Sequence, residues 1–132
     1  MTIKICNAFS LNMMSALVAD IKVIQITTEE AKDFLSVGVE SCVGHADTAA
    51  VFSRELGVQI SAARVTVELT HDETIIVGQY SGPRLPEGAT SLPEGATIKW
   101  YMVHASFPAV KPGRGEELAM GHALQTWGVV QA

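Results

Sequence analysis

Cysteine is scarce: the 132-residue chain has two, Cys6 and Cys42. Two so far apart make neither a disulfide framework nor a zinc-ligand pattern, so both read as small buried hydrophobes in a reducing compartment. Basic charge is scarce as well. Nine Lys and Arg against fourteen Asp and Glu leave a formal net charge of −5 with histidines neutral. That excludes the basic footprint of a protein that binds long nucleic acids. A small anionic ligand remains compatible, since a few cations and backbone amides suffice in a local pocket. No apolar run approaches the roughly 20 residues of a membrane span. The apolar N-terminus "MTIKICNAFSLNMMSALVAD" is interrupted by Asn7, Ser10 and Asn12 and carries one lysine. Neither a secretory signal nor a membrane anchor is expected, and the cytoplasm is the expected location. Familiar catalytic signatures are missing too: there is no G-x-x-x-x-G-K-[ST], G-x-S-x-G or H-E-x-x-H. His71, His104 and His122 lack metal-ligand spacing. No carboxylate cluster suggests a divalent-metal nuclease.

What is present suits one domain. Hydrophobic residues make up 48% of the chain, enough for a core. "IKICNAF" (3–9) and "IKVIQIT" (21–27) read as strands. Thr27 and Glu30 have capping-box spacing ahead of a short helix that Gly38 would stop. After the apolar stretch "VESCV", residues 45–56 take a helical pattern, with Ala49, Phe52 and Leu56 on one face and Gly57 at the C′ position. "ARVTVEL" (63–69) alternates with period two, and "TIIVGQY" (74–80) follows a polar turn, so the two are expected to pair as a hairpin. "TIKWYMVHA" (97–105) is a last strand. Prolines and glycines then mark a linker, with a short helix expected over 115–127. The pattern predicts a mixed α/β fold: one domain over 1–106 with a central sheet of about five strands flanked by short helices. Residues 107–132 form an extension with no role assigned.

Several polar residues sit where chemistry is possible. Gly44 would allow a sharp turn from strand into helix, placing His45 near a helix start where unpaired N–H groups favour an anion. A histidine there can bind or protonate a phosphate oxygen, or can be merely exposed. Arg84 and Glu87 lie in "GPRLPEG", a loop stiffened by Pro83 and Pro86. They read either as a guanidinium and a carboxylate held in fixed geometry or as a solvated charge pair. Arg64 opens the strand expected at 63–69 and reads as a phosphate contact or a solvated side chain. Asn7, Ser10 and Asn12 can satisfy their own backbone or face a ligand. "LPEGAT" occurs at 85–90 and again at 92–97, so Glu94 competes with Glu87.

Taken in order, "NAFSLNMM", "VGHADTAAVFSRELGVQI", "ARVTVEL" and "RLPEG" resemble the type III anti-CRISPR ring nucleases, small proteins of archaeal viruses also found in phages and bacteria. The likeness runs over about residues 3–103, and its more specific parts are the Gly-His-x-x-Thr helix start and the Arg-Leu-x-Glu-Gly loop. The resemblance implies a compact α/β homodimer that binds cyclic tetra-adenylate across its interface and cuts it without metal or cofactor. A ribose 2′-hydroxyl would attack the adjacent phosphate and give linear di-adenylate with a 2′,3′-cyclic phosphate. Carried over, His45 is the general acid, Glu87 positions the 2′-hydroxyl or the histidine, and Arg84 stabilises the scissile phosphate. Arg64 is a further phosphate contact, and Asn7, Ser10, Asn12 and Gly44 line the ligand pocket. Two other readings stand beside it, the first using the same pocket and the second leaving the loops merely structural. One is a sponge that sequesters a cyclic nucleotide signal. The other is a regulator that binds another protein and exposes an apolar patch.

Overall fold

In the computed structural model, which describes residues 2–16 and 18–108, five strands form one sheet. In chain order they are β1 (Ile3–Cys6), β2 (Asp20–Ile26), β3 (Val39–Ser41), β4 (Glu73–Ser81) and β5 (Thr97–Ser106). Helix α1 (Thr28–Leu35) precedes β3 and helix α2 (Ala46–Leu56) follows it. The spatial order is β2-β5-β4-β1-β3. Strands β4, β1 and β3 run parallel, whereas β2–β5 and β5–β4 are antiparallel pairs. The sheet is therefore mixed, as the sequence predicted.

Local chemistry explains the helices. The Thr27 hydroxyl accepts the Glu30 N–H at 3.1 Å while Glu30 Oε1 accepts the Thr27 N–H at 2.9 Å, so the capping box closes in both directions. Helix α2 ends at Gly57, which takes the left-handed conformation (φ 68°) and donates its N–H to the Ser53 carbonyl at 2.8 Å. Both helices cover one face of the sheet. Ala31 and Leu35 of α1 and Ala49, Phe52 and Leu56 of α2 close over Ile5, Ile26, Ile76 and Trp100. Alternation along the strands sends Cys6, Ile75, Val77, Val103 and Ala105 to the other face, where Phe9, Met13, Met14 and Val67 of the connecting segments cover them.

At Gly78 the helix layer comes close to the sheet. A Cβ there would lie 2.6 Å from the Trp100 ring and 2.7 Å from the Phe52 ring. Those rings meet edge to face over the glycine, centroids 4.9 Å apart. The missing side chain thus lets α2 settle directly on β4.

Three expectations are corrected. Residues 63–69 form no strand and no hairpin with β4, because β4 already has β1 on one side and β5 on the other. The segment instead crosses the second core, burying Leu69, and bonds to Val43 and Met13 through the Ala63 and Leu69 amides. Arg64 therefore sits on this covering segment rather than at a strand start. The fifth strand is β3, three residues within "VESCV". The first strand stops at Cys6, where its pairing partners end, and Phe9 turns back onto the second core. Gly44 has no positive φ, and a Cβ added there would make only ordinary contact (3.7 Å) with Arg64, so the turn into α2 does not require glycine.

Both cysteines are free and buried, as expected. Burial and the neighbouring Cys42 push the Cys6 thiol up to about 12, and burial likewise raises Cys42. Protonated thiols of this kind are poor nucleophiles. The helix expected over 115–127 and the linker before it, apart from Pro108, lie outside the described residues.

Candidate functional site

Polar loops collect where the three parallel strands end. Asn7 follows β1, Gly44-His45 follow β3, and Tyr80 to Gly88 form the end of β4 and the loop beyond it. The carboxyl ends of parallel strands are where open α/β sheets leave a crevice for ligands, because the connections diverge there. Here two concavities open side by side. A cleft of about 950 Å³ is lined by His45, Asp47, Thr48, Tyr80, Arg84 and Glu87, with Gly82, Leu85 and Pro86. A hollow of about 560 Å³ is lined by Asn7, Gly44, Arg64 and Thr66, among others. His45 belongs to both.

His45 is the N-cap of α2 and has an extended backbone (φ −122°, ψ 132°). Its side chain makes no capping bond, so the imidazole is exposed and the first-turn amides lack the usual side-chain acceptor. Those amides and the helix dipole favour an anion at this rim. Arg64 reaches the same place from the segment over the second core, where its Nε donates to the Gly44 carbonyl at 3.2 Å. That bond holds a guanidinium beside His45 and leaves its other N–H groups for a phosphate.

The loop carrying Arg84 and Glu87 is braced at both ends. The Tyr80 hydroxyl donates to the Pro83 carbonyl, next to Arg84. At the far end the Gly88 N–H donates to Asp47 Oδ1 at 2.9 Å, tying the residue after Glu87 to the first turn of α2. The turn itself closes through the Ala89 N–H, which bonds to the Pro86 carbonyl at 3.0 Å, and Gly88 at φ 82° occupies the turn position that favours glycine. The second "LPEG" copy makes the same turn, with Ala96 bonded to Pro93 at 3.1 Å and Gly95 at φ 82°. It leads into β5 instead, and Glu94 does not line the cleft.

The structure thus brings His45, Arg84 and Glu87 to one cleft, and Asn7, Gly44 and Arg64 to the adjoining hollow. It does not bring Ser10 and Asn12 to either. Ser10 caps the single 3₁₀ turn Leu11–Met13, its hydroxyl accepting the Asn12 N–H at 3.2 Å. Sequence reasoning missed Asp47 and Tyr80. Asp47 stood in plain view as the acid of a helix first turn, and Tyr80 as the last aromatic before a Gly-Pro turn. Among the described residues, no group of three or more His, Cys, Asp and Glu side chains is arranged to hold a metal ion. No described helix is long and apolar enough to cross a membrane.

Fold and rim together define a small mixed α/β protein with an anion-suited cleft at the carboxyl ends of its parallel strands. A model of the STIV B116-like family matches residues 3–101, and the chain belongs to that family. Among solved structures it is similar to B116 of Sulfolobus turreted icosahedral virus, with a TM-score of 0.67 and 23% sequence identity. The likeness covers 78% of this chain and 98% of that one, and at this identity it speaks for the fold. No curated protein matches the sequence.

Proposed function

We propose that the protein is a metal-independent ring nuclease that cuts cyclic tetra-adenylate and so silences the signalling of type III CRISPR defence. The observation that carries this reading is that His45, uncapped at a helix N-terminus, shares one cleft with Arg84 and Glu87. A ribose 2′-hydroxyl brings its own nucleophile, so the protein has to impose in-line geometry, stabilise charge and deliver a proton. Glu87 orients the 2′-hydroxyl and takes up its proton as the oxygen attacks the adjacent phosphorus. The bond from phosphorus to the 5′ oxygen breaks, and His45 protonates that oxygen as it leaves. Arg84 and the first-turn amides of α2 take up charge on the phosphoryl oxygens, and Arg64 and Asn7 hold the chain on the other side of His45. The product end is a 2′,3′-cyclic phosphate, and two such cuts convert the ring to two linear di-adenylates.

A second copy of the chain is part of the proposal. A four-fold repeating ring offers equivalent bonds to two equivalent sites, which suits a two-fold dimer. For both His45 side chains to reach one ring, the axis must pass beside the rim where β3, β1 and β4 end. Incubation with cyclic tetra-adenylate in excess EDTA, followed by chromatography, tests the reading. Linear di-adenylate with a cyclic phosphate end is expected. An intact ring released only on denaturation would mean a sponge, and a ring neither bound nor cut would leave the fold without this ligand.

A further inference from the structure

We infer that Asp47 is a positioning residue of the cleft, holding the Pro86–Ala89 turn against α2 and thereby setting Glu87 relative to His45. The inference rests on the nuclease reading above. Asp47 lies two residues after His45 on the first turn of α2, and its carboxylate accepts the N–H of the residue after Glu87. One 2.9 Å hydrogen bond across 41 positions of sequence thus joins the segments that carry the proposed acid and carboxylate.

The duplicated "LPEG" shows what this bond is for. The turn at Pro93–Ala96 has the same closing bond and the same glycine conformation as the turn at Pro86–Ala89. Among the described residues it has no hydrogen bond to α2. The turn therefore forms without an aspartate, and Asp47 contributes its location rather than its shape. An acid on the wall of a phosphate cleft is otherwise a liability, since it repels the ligand. Here its charge is committed to an amide and to the positive end of the helix dipole.

Three substitutions in the full chain separate location from charge. Asp47→Asn keeps the accepting oxygen and loses the charge. Asp47→Glu keeps the charge and displaces the acceptor by a methylene. Asp47→Ala loses both. Turnover of cyclic tetra-adenylate is measured in EDTA, with thermal unfolding as the folding control and hydrogen exchange at the Gly88 amide as a readout that needs no substrate. The expected result is kcat lowered about 10- to 100-fold in the Ala and Glu variants, as for a small misplacement of a catalytic group. KM should change by less than about threefold, because little uniform binding is lost. The Asn variant should retain most of the rate, and Gly88 exchange should accelerate in the Ala and Glu variants only. Full turnover in Asp47→Ala despite faster Gly88 exchange would overturn the inference, as would a loss confined to KM or an Asn variant as slow as Ala. If the unmodified protein fails to cut the ring, the nuclease reading falls and Asp47's part in turnover falls with it. Gly88 exchange then still decides whether the clamp exists.

Discussion

Gly78→Ala tests the packing that brings α2 onto the sheet. The added methyl would sit 2.6 Å from a Trp100 ring carbon and 2.7 and 2.9 Å from two Phe52 ring carbons. Phe52 is fully buried and Trp100 nearly so, hence neither ring can swing into solvent to make room. Overpacking of this kind costs about 1–3 kcal/mol. Alanine also removes conformational freedom from the unfolded chain, which offsets roughly 0.4–1 kcal/mol where the native backbone accepts it. The net expectation is a loss of about 1–2 kcal/mol, or a fall in Tm on the order of 4–10 °C for a domain this size. Thermal unfolding followed by circular dichroism measures it, and urea unfolding with an unchanged m-value would attribute it to stability. Because Phe52 belongs to the helix that starts at His45, displacing it also strains the Asp47–Gly88 link, so turnover should fall along with stability. A Tm equal to or above that of the unmodified protein would refute the claim that the rings occupy the space over Gly78.

Two further outcomes follow from particular groups. Glu87→Gln should slow cleavage of cyclic tetra-adenylate by about 10²-fold or more if the carboxylate orients the nucleophile, whereas Glu94→Gln in the sister turn should leave the rate unchanged; equal losses would show that the duplicated turns are interchangeable. The Cys6 thiol, pushed from 9.0 up to about 12 by burial first and Cys42 second, binds its proton more tightly folded than unfolded. Stability linked to it is therefore whole below about pH 9 and is lost as pH rises towards 12, by up to about 1.4 kcal/mol per pH unit. Tm against pH should show this alkaline slope, and Cys6→Ala should flatten it; a slope that survives the substitution would assign it to other groups.

Features decided by neighbours in sequence were legible. The Thr27–Glu30 box, the Ala49-Phe52-Leu56 face, the Gly57 stop and the long strands β2 and β5 all follow from contacts within a few residues. Pairing was not legible. Period-two alternation in "ARVTVEL" is not matched by burial: Leu69 is buried and Val67 packs on the second core, but Val65, between them and Ala63, is exposed. What excluded the segment from the sheet was the occupancy of both edges of β4 by β1 and β5, which no local pattern contains. β3 was too short to register as a strand against "ARVTVEL".

The site divides the same way. His45, Arg84 and Glu87 were visible as residue types beside turn and helix signals, and the strand ends bring them together. Ser10 and Asn12 matched the same polar pattern but are committed to a one-turn helix. Asp47 escaped notice because its meaning lies in Gly88, far away in sequence and adjacent in space. Glu87 and Glu94 were indistinguishable until the fold directed one turn to the cleft and the other into β5.

The most direct measurement is the single-turnover rate of cyclic tetra-adenylate cleavage in excess EDTA by the His45→Ala protein beside the unmodified one. The His45 side chain makes no capping bond, so its removal takes no such bond from α2 and stability serves as a clean control. The expected result is di-adenylate ending in a 2′,3′-cyclic phosphate from the unmodified protein, and a rate about 10²- to 10⁴-fold lower from the variant with the ring still bound. Equal rates from the two proteins, or a ring left intact by both, would contradict the assignment of His45 as the acid of a metal-independent ring nuclease.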